Sequence, residues 1–183
     1  SRWSYACSKA VGEYLGLAHH RTRALPVFVA RLFNTVGPRQ RARYGMVIPR
    51  FVGQALRGEP ITVYGDGLQT RCFCHVLDTV TGLTALLETP RAVGQVVNVG
   101  GEERVTIGEL ARLVKDVAGS DSEIVTVPFS DAFRPDFDDM RDRQPDLSRL
   151  QSLPGFRPSR RLRESVEDAV AHFRDVGDPD AGD

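Results

Sequence analysis

The sequence has no glycine-rich strand–turn–helix, no long apolar run, no surplus charge of either sign and only three cysteines. Lys plus Arg and Asp plus Glu both number 24, so the formal net charge is zero. That excludes a broad electrostatic surface for nucleic acid or an anionic membrane, and leaves any anion to a few placed arginines. No apolar run approaches the roughly 20 residues of a membrane span. No signal peptide is visible, because the first residues read as a polar helix. Cys7, Cys72 and Cys74 are an odd, sparse set. They suit a reducing compartment better than a disulfide framework, and the expected location is cytoplasmic. "GDG" (65–67) is too short for a phosphate cradle and no helix follows it, so it reads as a turn. An initiator Met is also absent. The chain therefore reads as a fragment, whether natural, processed or truncated.

What is present suits a globular protein. The 183 residues are 41% hydrophobic and 26% charged, enough for one domain or two small ones. Residues 3–20 read as a helix. "LPVFVARLF" (25–33) reads as a strand buried on both faces, as in a parallel sheet. A helix over 45–58 has Pro49 in its first turn and Gly58 at its stop. "ITVY" (61–64) and "TRCFCHV" (70–76) read as two strands of a hairpin around the "GDG" turn. Asp78 reads as the cap of a helix running to about Glu88. "QVVNVG" (95–100) is a further strand. "TIGE" is a capping box, with Thr106 as N-cap and Glu109 three residues on, opening a helix that stops at Gly119. "EIVTVP" is a strand, and 129–146 is an irregular charged segment. "DLSRL" is a helical turn, "RLRESVEDAVAHFRD" a final amphipathic helix, and 175–183 a flexible tail. Alternating strands and helices predict an α/β fold.

Four clusters carry candidate chemistry. Tyr5 and Lys9 lie one helical turn apart on one face, and an ammonium beside a phenol favours the phenolate. "RLFNTVGPRQ" follows a buried parallel strand, the end at which open α/β sheets bind ligands. In it, Asn34 donates and accepts, and Arg39 can pair with phosphate. "TVYGDGLQTRCF" offers the ring of Tyr64 for stacking and the fork of Arg71 for phosphate. "DDMRDRQPDLSRL" places Arg141, Arg143 and Asp146 in one segment. Taken singly, the last three have plainer readings: a capped loop, a strand pair with an exposed Arg, a solvated charge run. No metal site is expected. Cys72, Cys74 and His75 match no common zinc spacing, and "DFDD" (136–139) lacks the Gly and terminal Glu of a calcium loop.

"YACSK", "RLFNTVGPRQ", "ALRGEPITVYGDGLQTRCFCHVLD", "VVNVGG" and "RQPDLSRL" together resemble, in order and spacing, the extended branch of the short-chain dehydrogenases. These are the nucleotide-sugar epimerases, dehydratases and decarboxylases. The resemblance runs to about residue 174 and is strongest to UDP-sugar 4-epimerases and UDP-glucuronate decarboxylases. It implies the C-terminal part of such an enzyme, with the glycine-rich half and most of the NAD site supplied by another stretch of chain. Residues 1–42 would then end a Rossmann-type NAD-binding domain, carrying its catalytic helix and one parallel strand. Residues 43–174 would form mainly a small α/β sugar-nucleotide domain, with 77–100 packing back on the Rossmann part.

The resemblance also implies roles. Tyr5 would be the catalytic base, with Lys9 favouring its phenolate and meeting the nicotinamide ribose. Asn34 and Arg39 would meet the sugar nucleotide, Val47 and Tyr64 would surround the nucleobase, and Arg71 and Arg143 would clamp the pyrophosphate. The implied function is NAD-dependent 4-epimerisation of a UDP-sugar through a transient 4-keto intermediate, in a homodimer. Decarboxylation of UDP-glucuronate and 4,6-dehydration are the alternatives. A non-catalytic sugar-nucleotide-binding fragment is a further one.

Overall fold

The computed structural model describes residues 2–41, 46–132 and 140–177. The acidic run at 136–139, the proposed boundary at 42/43 and the last six residues of the tail lie outside them. Helix α1 (Arg2–Arg23) is followed by strands β1 (Val29–Leu32) and β2 (Thr35–Val36). Helix α2 (Val47–Arg57) leads to β3 (Ile61–Tyr64), β4 (Thr70–Cys72) and β5 (Cys74–His75), and then α3 (Val76–Leu87). A 3-10 turn at Pro90–Ala92 precedes β6 (Val96–Val99), β7 (Arg104–Thr106), α4 (Ile107–Ala118) and β8 (Ile124–Val127). The chain closes with α5 (Phe129–Ala132), β9 (Asp142–Arg143), α6 (Ser148–Ser152) and α7 (Leu162–Val176). Among the described residues, no helix is long and apolar enough to cross a membrane.

The fold is mixed α/β with parallel pairing. β1 runs parallel to β6, β2 to β5, and β3 to β8. β4 is the centre of a three-stranded sheet, antiparallel to β7 and parallel to β9. The larger core fills the space between α2, α4, α7 and β3. Phe51, Val52, Ile61, Val63, Leu110, Val114 and Val166 are all 0–1% exposed there. With Ile48, Ala55, Ala169, Val170 and Phe173 of the same core, they recur at helical spacing in α2, α4 and α7 and at alternate positions in β3, so each element presents one apolar face. The second core lies against β1 and β6, where Leu86, Val97, Val99, Leu147 and Leu150 pack with Phe28 and Ala30.

The local signals hold. Thr106 and Glu109 make both halves of the capping box, and α2 and α4 stop at Gly58 and Gly119 in the left-handed conformation. The departures are long-range in origin. The run 70–76 is not one strand, because the chain changes sheets at Phe73: β4 serves β7 and β9, while β5 serves β2. Gly101 packs against that break, where a Cβ would stand 1.9 Å from the Phe73 carbonyl oxygen. Nor do β3 and β4 form a hairpin. The "GDG" turn is drawn onto α4, where Gly108 N donates to Gly67 O and Ile107 N to Gln69 O.

The cap of α3 is also different. His75 Nδ1 accepts from Leu77 N at 3.1 Å, while Asp78, 2% exposed, accepts from the backbone of Ser159 and Arg160. The segment read as irregular contributes α5 and β9 from its described residues. β1 is not covered on both faces by the described residues: Val29 and Ala30 are half-buried, while Arg31 and Leu32 are exposed, Leu32 by 48%.

Candidate active site

Helix α1 is joined to the fold at few points. Arg31 of β1 grips Glu13 with both ends of its fork, Nε to Oε1 at 2.8 Å and Nη2 to Oε2 at 2.6 Å. That grip holds the Glu13 carboxyl below the ordinary glutamate range, chiefly through the hydrogen bond. One turn on, Gly16 sits against Val27, where a Cβ would meet the side chain at 3.4 Å. Further on, His20 Nδ1 lies 2.8 Å from Leu25 O. The pairs 13/31, 16/27 and 20/25 show that α1 runs antiparallel to the chain leading through β1.

Tyr5, Lys9 and Glu13 form one stripe at i, i+4 and i+8. Lys9 and Tyr5 therefore stand ~6 and ~12 Å beyond Glu13 along the helix, toward the C-terminal end of β1. Lys9 Nζ is 5.3 Å from the centroid of the Tyr5 ring, which is 66% exposed. The ammonium thus stands over the ring face.

The loop at the end of β1 is wound tightly. Asn34 and Arg39 have φ values of 30° and 66°, a region that costs non-glycine residues about 1–3 kcal/mol each. Asn34 is tied down on both sides: its Nδ2 donates to Cys72 O at 2.8 Å, and its own carbonyl accepts from Cys74 N at 3.1 Å. It therefore splices the loop to β4 and β5. Arg39 is exposed. The next residue back from Asn34, Phe33, lies under the Arg143 guanidinium at 5.1 Å.

Arg143 itself is on β9, in register with Arg71 on β4. Register partners on parallel strands project to the same face. Arg71 Nη1 also donates to Thr70 O at 2.7 Å and to Arg141 O at 3.3 Å. The structure thus gathers Asn34, Arg71 and Arg143 around the end of β1.

Val47 and Tyr64 lie on α2 and β3, elements that pack on each other. Val47 opens α2 and packs on the larger core. One face of the Tyr64 ring, expected to be open for stacking, is occupied by Arg50, 4.1 Å from its centroid. Arg50 reaches there because α2 lies along β3, where its Nη1 also meets Thr62 Oγ1 at 3.3 Å. Sequence reading missed Glu13, Arg31, Phe33 and Arg50. Only Glu13 had a local signal, its place four residues beyond Lys9.

Cys72 and Cys74 are buried thiols pushed up from their usual range by desolvation, which disfavours thiolate chemistry. A polar cavity of about 370 Å³ lies beside this region, lined by Arg31, Val96, Asn98, Asp146, Ser148 and Arg149.

For a dinucleotide, the fit is partial. The Tyr5 hydroxyl and Lys9 ammonium are a donor set suited to a ribose, exposed side by side on α1. The described residues offer no glycine-rich turn into a helix for the pyrophosphate.

Comparison with known proteins identifies a family. Residues 1–100 match the model of the NAD dependent epimerase/dehydratase family. The chain is 36% identical over 176 residues to a UDP-N-acetyl-alpha-D-glucosaminuronate decarboxylase of Bacillus cytotoxicus, covering 96% of this chain and 54% of that protein. A UDP-N-acetylglucosamine 4-epimerase of Methanobrevibacter ruminantium, solved with UDP-N-acetylmuramic acid, superposes with a TM-score of 0.84 at 30% identity. That match covers 94% of this chain and 54% of the other. A UDP-glucuronic acid 4-epimerase of Bacillus cereus, solved with UDP-glucuronic acid and NAD, gives a TM-score of 0.83 at 27% identity, over 94% and 52%. The chain spans about half the length of the relatives it matches. With its matched segment beginning at the Tyr5/Lys9 helix and running through the paired strands β1 and β6, the chain belongs to the NAD dependent epimerase/dehydratase family.

Proposed function

We propose that this chain is the substrate-holding part, with the catalytic pair, of an enzyme that transiently oxidises a UDP-sugar at C4. The observation that carries the reading is the convergence on one strand end. Tyr5 and Lys9 are aimed along α1 toward the C-terminal end of β1, and Arg71 and Arg143 are paired on neighbouring strands beside it. NAD, held mainly by the part of the enzyme beyond this chain, supplies a hydride acceptor when bound. Tyr5 takes the proton of the sugar 4-hydroxyl as the C4 hydride departs, and Lys9 stabilises the phenolate and meets the ribose. Arg71 and Arg143 hold the diphosphate through charge-assisted, bidentate bonds. Asn34 and Arg39 face the sugar nucleotide from the tight loop. Val47 and Tyr64 border the nucleobase, with Arg50 stiffening Tyr64.

In this reading, residues 1–42 belong with the dinucleotide-binding domain and 43–174 mainly with the substrate domain. The segment 77–100 joins the former, in keeping with the pairing of β6 on β1. The working form is a cytoplasmic homodimer.

The 4-epimerase outcome is placed first, because it needs no side chain beyond the catalytic pair to act on the 4-keto sugar. Decarboxylation is the second reading, favoured by the 36% identity to a decarboxylase against 27–30% to the two solved epimerases. The test is the complete gene product with UDP-glucuronate and NAD, followed by proton NMR. UDP-galacturonate supports epimerisation, UDP-xylose with released CO2 supports decarboxylation, and no conversion of UDP-glucuronate, UDP-glucose or UDP-N-acetylglucosamine in parallel assays rejects both.

A further inference from the structure

Strand β9 is only two residues long, Asp142 and Arg143, and neither is apolar. Burial therefore cannot be what holds it in place. The sheet holds it with a polar ladder across three strands. Arg104 of β7 donates from Nε to Thr70 Oγ1 at 3.0 Å. Thr70 of β4 donates in turn to Asp142 Oδ1 at 2.5 Å, and Arg104 Nη2 reaches the same oxygen at 2.5 Å. One residue upstream, Arg141 pairs with Asp66 of the "GDG" turn at 2.9 Å, and Thr70 N donates to Arg141 O at 2.9 Å. Thr70 and Asp142 are register partners, and so are their neighbours Arg71 and Arg143. Successive residues of a strand face opposite sides, so the ladder occupies one face of the sheet and the two arginines the other.

We propose that Thr70, Arg104 and Asp142 are positioning residues that set Arg143 beside Arg71 for a nucleoside diphosphate. The inference rests on the reading that the two arginines hold that diphosphate. The ladder touches no ligand and acts through β9. Two charge-assisted bonds converge on one carboxylate oxygen, and together they select one register for a strand too short to select its own. The Asp142 carboxyl is held below the ordinary carboxylate range by its bonds to Thr70 and Arg104, so it stays ionised at neutral pH.

The experiment titrates the complete gene product with UDP and, separately, with uridine, which carries no phosphate. Asp142 has a 60% exposed side chain, so Asp142→Asn spares the core. Asp142→Asn and Thr70→Val are expected to raise the UDP Kd about tenfold each and to leave the uridine Kd unchanged. Added to Arg143→Ala, Asp142→Asn is expected to cost nothing further, because its effect runs through that arginine. Full additivity on the Arg143→Ala background would overturn the proposal. So would unchanged UDP binding in the ladder variants while Arg71→Ala and Arg143→Ala weaken it. If neither arginine variant weakens UDP, the diphosphate reading itself falls and takes the ladder with it.

Discussion

Arg71 and Arg143 are register partners on adjacent parallel strands, β4 and β9, although they are 72 residues apart in the sequence. Register partners on parallel strands project to one face of the sheet, so the two side chains are placed where one diphosphate could take a charge-assisted bond from each. Arg71→Ala and Arg143→Ala are each expected to raise the Kd for UDP by roughly ten- to a hundredfold. The double variant should lose less than the sum, since the remaining interactions of one diphosphate are coupled. Calorimetry with the complete gene product checks this, and parental affinity in Arg143→Ala would make it a solvated surface residue.

Tyr5→Phe keeps the ring that lies under Lys9 and removes the proton acceptor. Turnover is expected to fall by at least about a hundredfold, with UDP-sugar binding nearly intact. Single-turnover formation of reduced cofactor at 340 nm reads the oxidation step directly. Substantial residual signal would assign the base to another group.

The outer side of α1 is apolar and bare: Val11 and Leu15 are 56% and 57% exposed, and Tyr14 is 72% exposed. Val11 and Leu15 lie one turn apart and away from the Tyr5/Lys9 stripe. A two-fold contact through this face would cover them, and the complete gene product is expected to sediment as a dimer at micromolar concentration. Leu15→Glu should shift it toward monomer. A strictly monomeric parent would rule the contact out.

Local devices were legible in the sequence because their partners are three or four residues away. The Thr106/Glu109 box, the glycine stops of α2 and α4, and the Tyr5/Lys9 spacing are all of this kind. What the sequence hid is partner choice over long distances. Asp78 has the position of a helix cap, yet Ser159 and Arg160 claim it from far along the chain, and His75 takes over the cap. Nothing local marks Phe73 as the point where one apolar run changes sheets. Nothing local in the sequence signals that Arg71 and Arg143 meet, and it is the register of β4 and β9 that puts them side by side in the sheet. Arg50, fourteen residues before Tyr64, gives no sequence sign of lying over one face of that ring.

Asp78 is the polar joint between α3 and the approach to α7. Its Oδ2 accepts from Ser159 N at 3.0 Å and Arg160 N at 2.9 Å, and its Oδ1 accepts from Arg160 Nη1 at 3.2 Å. Asp78→Ala strands these donors around a buried site and is expected to cost about 3 kcal/mol in urea denaturation. Asp78→Asn keeps one acceptor and should cost less. A loss below about 1 kcal/mol for the alanine variant would mean that water replaces the carboxylate at no cost.

The Glu13–Arg31 pair makes the docking of α1 dependent on pH. The hydrogen bond from Arg31 lowers the Glu13 pKa in the folded chain relative to the unfolded one. A lowered carboxyl pKa means that the unfolded or undocked state binds the proton more readily. The stabilisation is therefore fully present above the unfolded value, near ~4.3 for glutamate, and is lost as the pH falls through the folded value below it. Gly16 and His20, nearer the C-terminal end of α1, meet Val27 and Leu25 in the segment that leads into β1. The first half of α1, with Tyr5 and Lys9, should thus loosen first in acid. Hydrogen exchange of amides 5–13, corrected for the intrinsic pH dependence of exchange, is expected to accelerate as the pH falls below the ordinary glutamate range, while α4 in the larger core keeps its protection. Glu13→Gln should show the loosened pattern already at pH 7 and lose the acid step. Equal protection of α1 in parent and variant at pH 7 would show that the ion pair does not hold the helix. The Tyr5/Lys9 stripe would then owe its direction to contacts other than this ion pair.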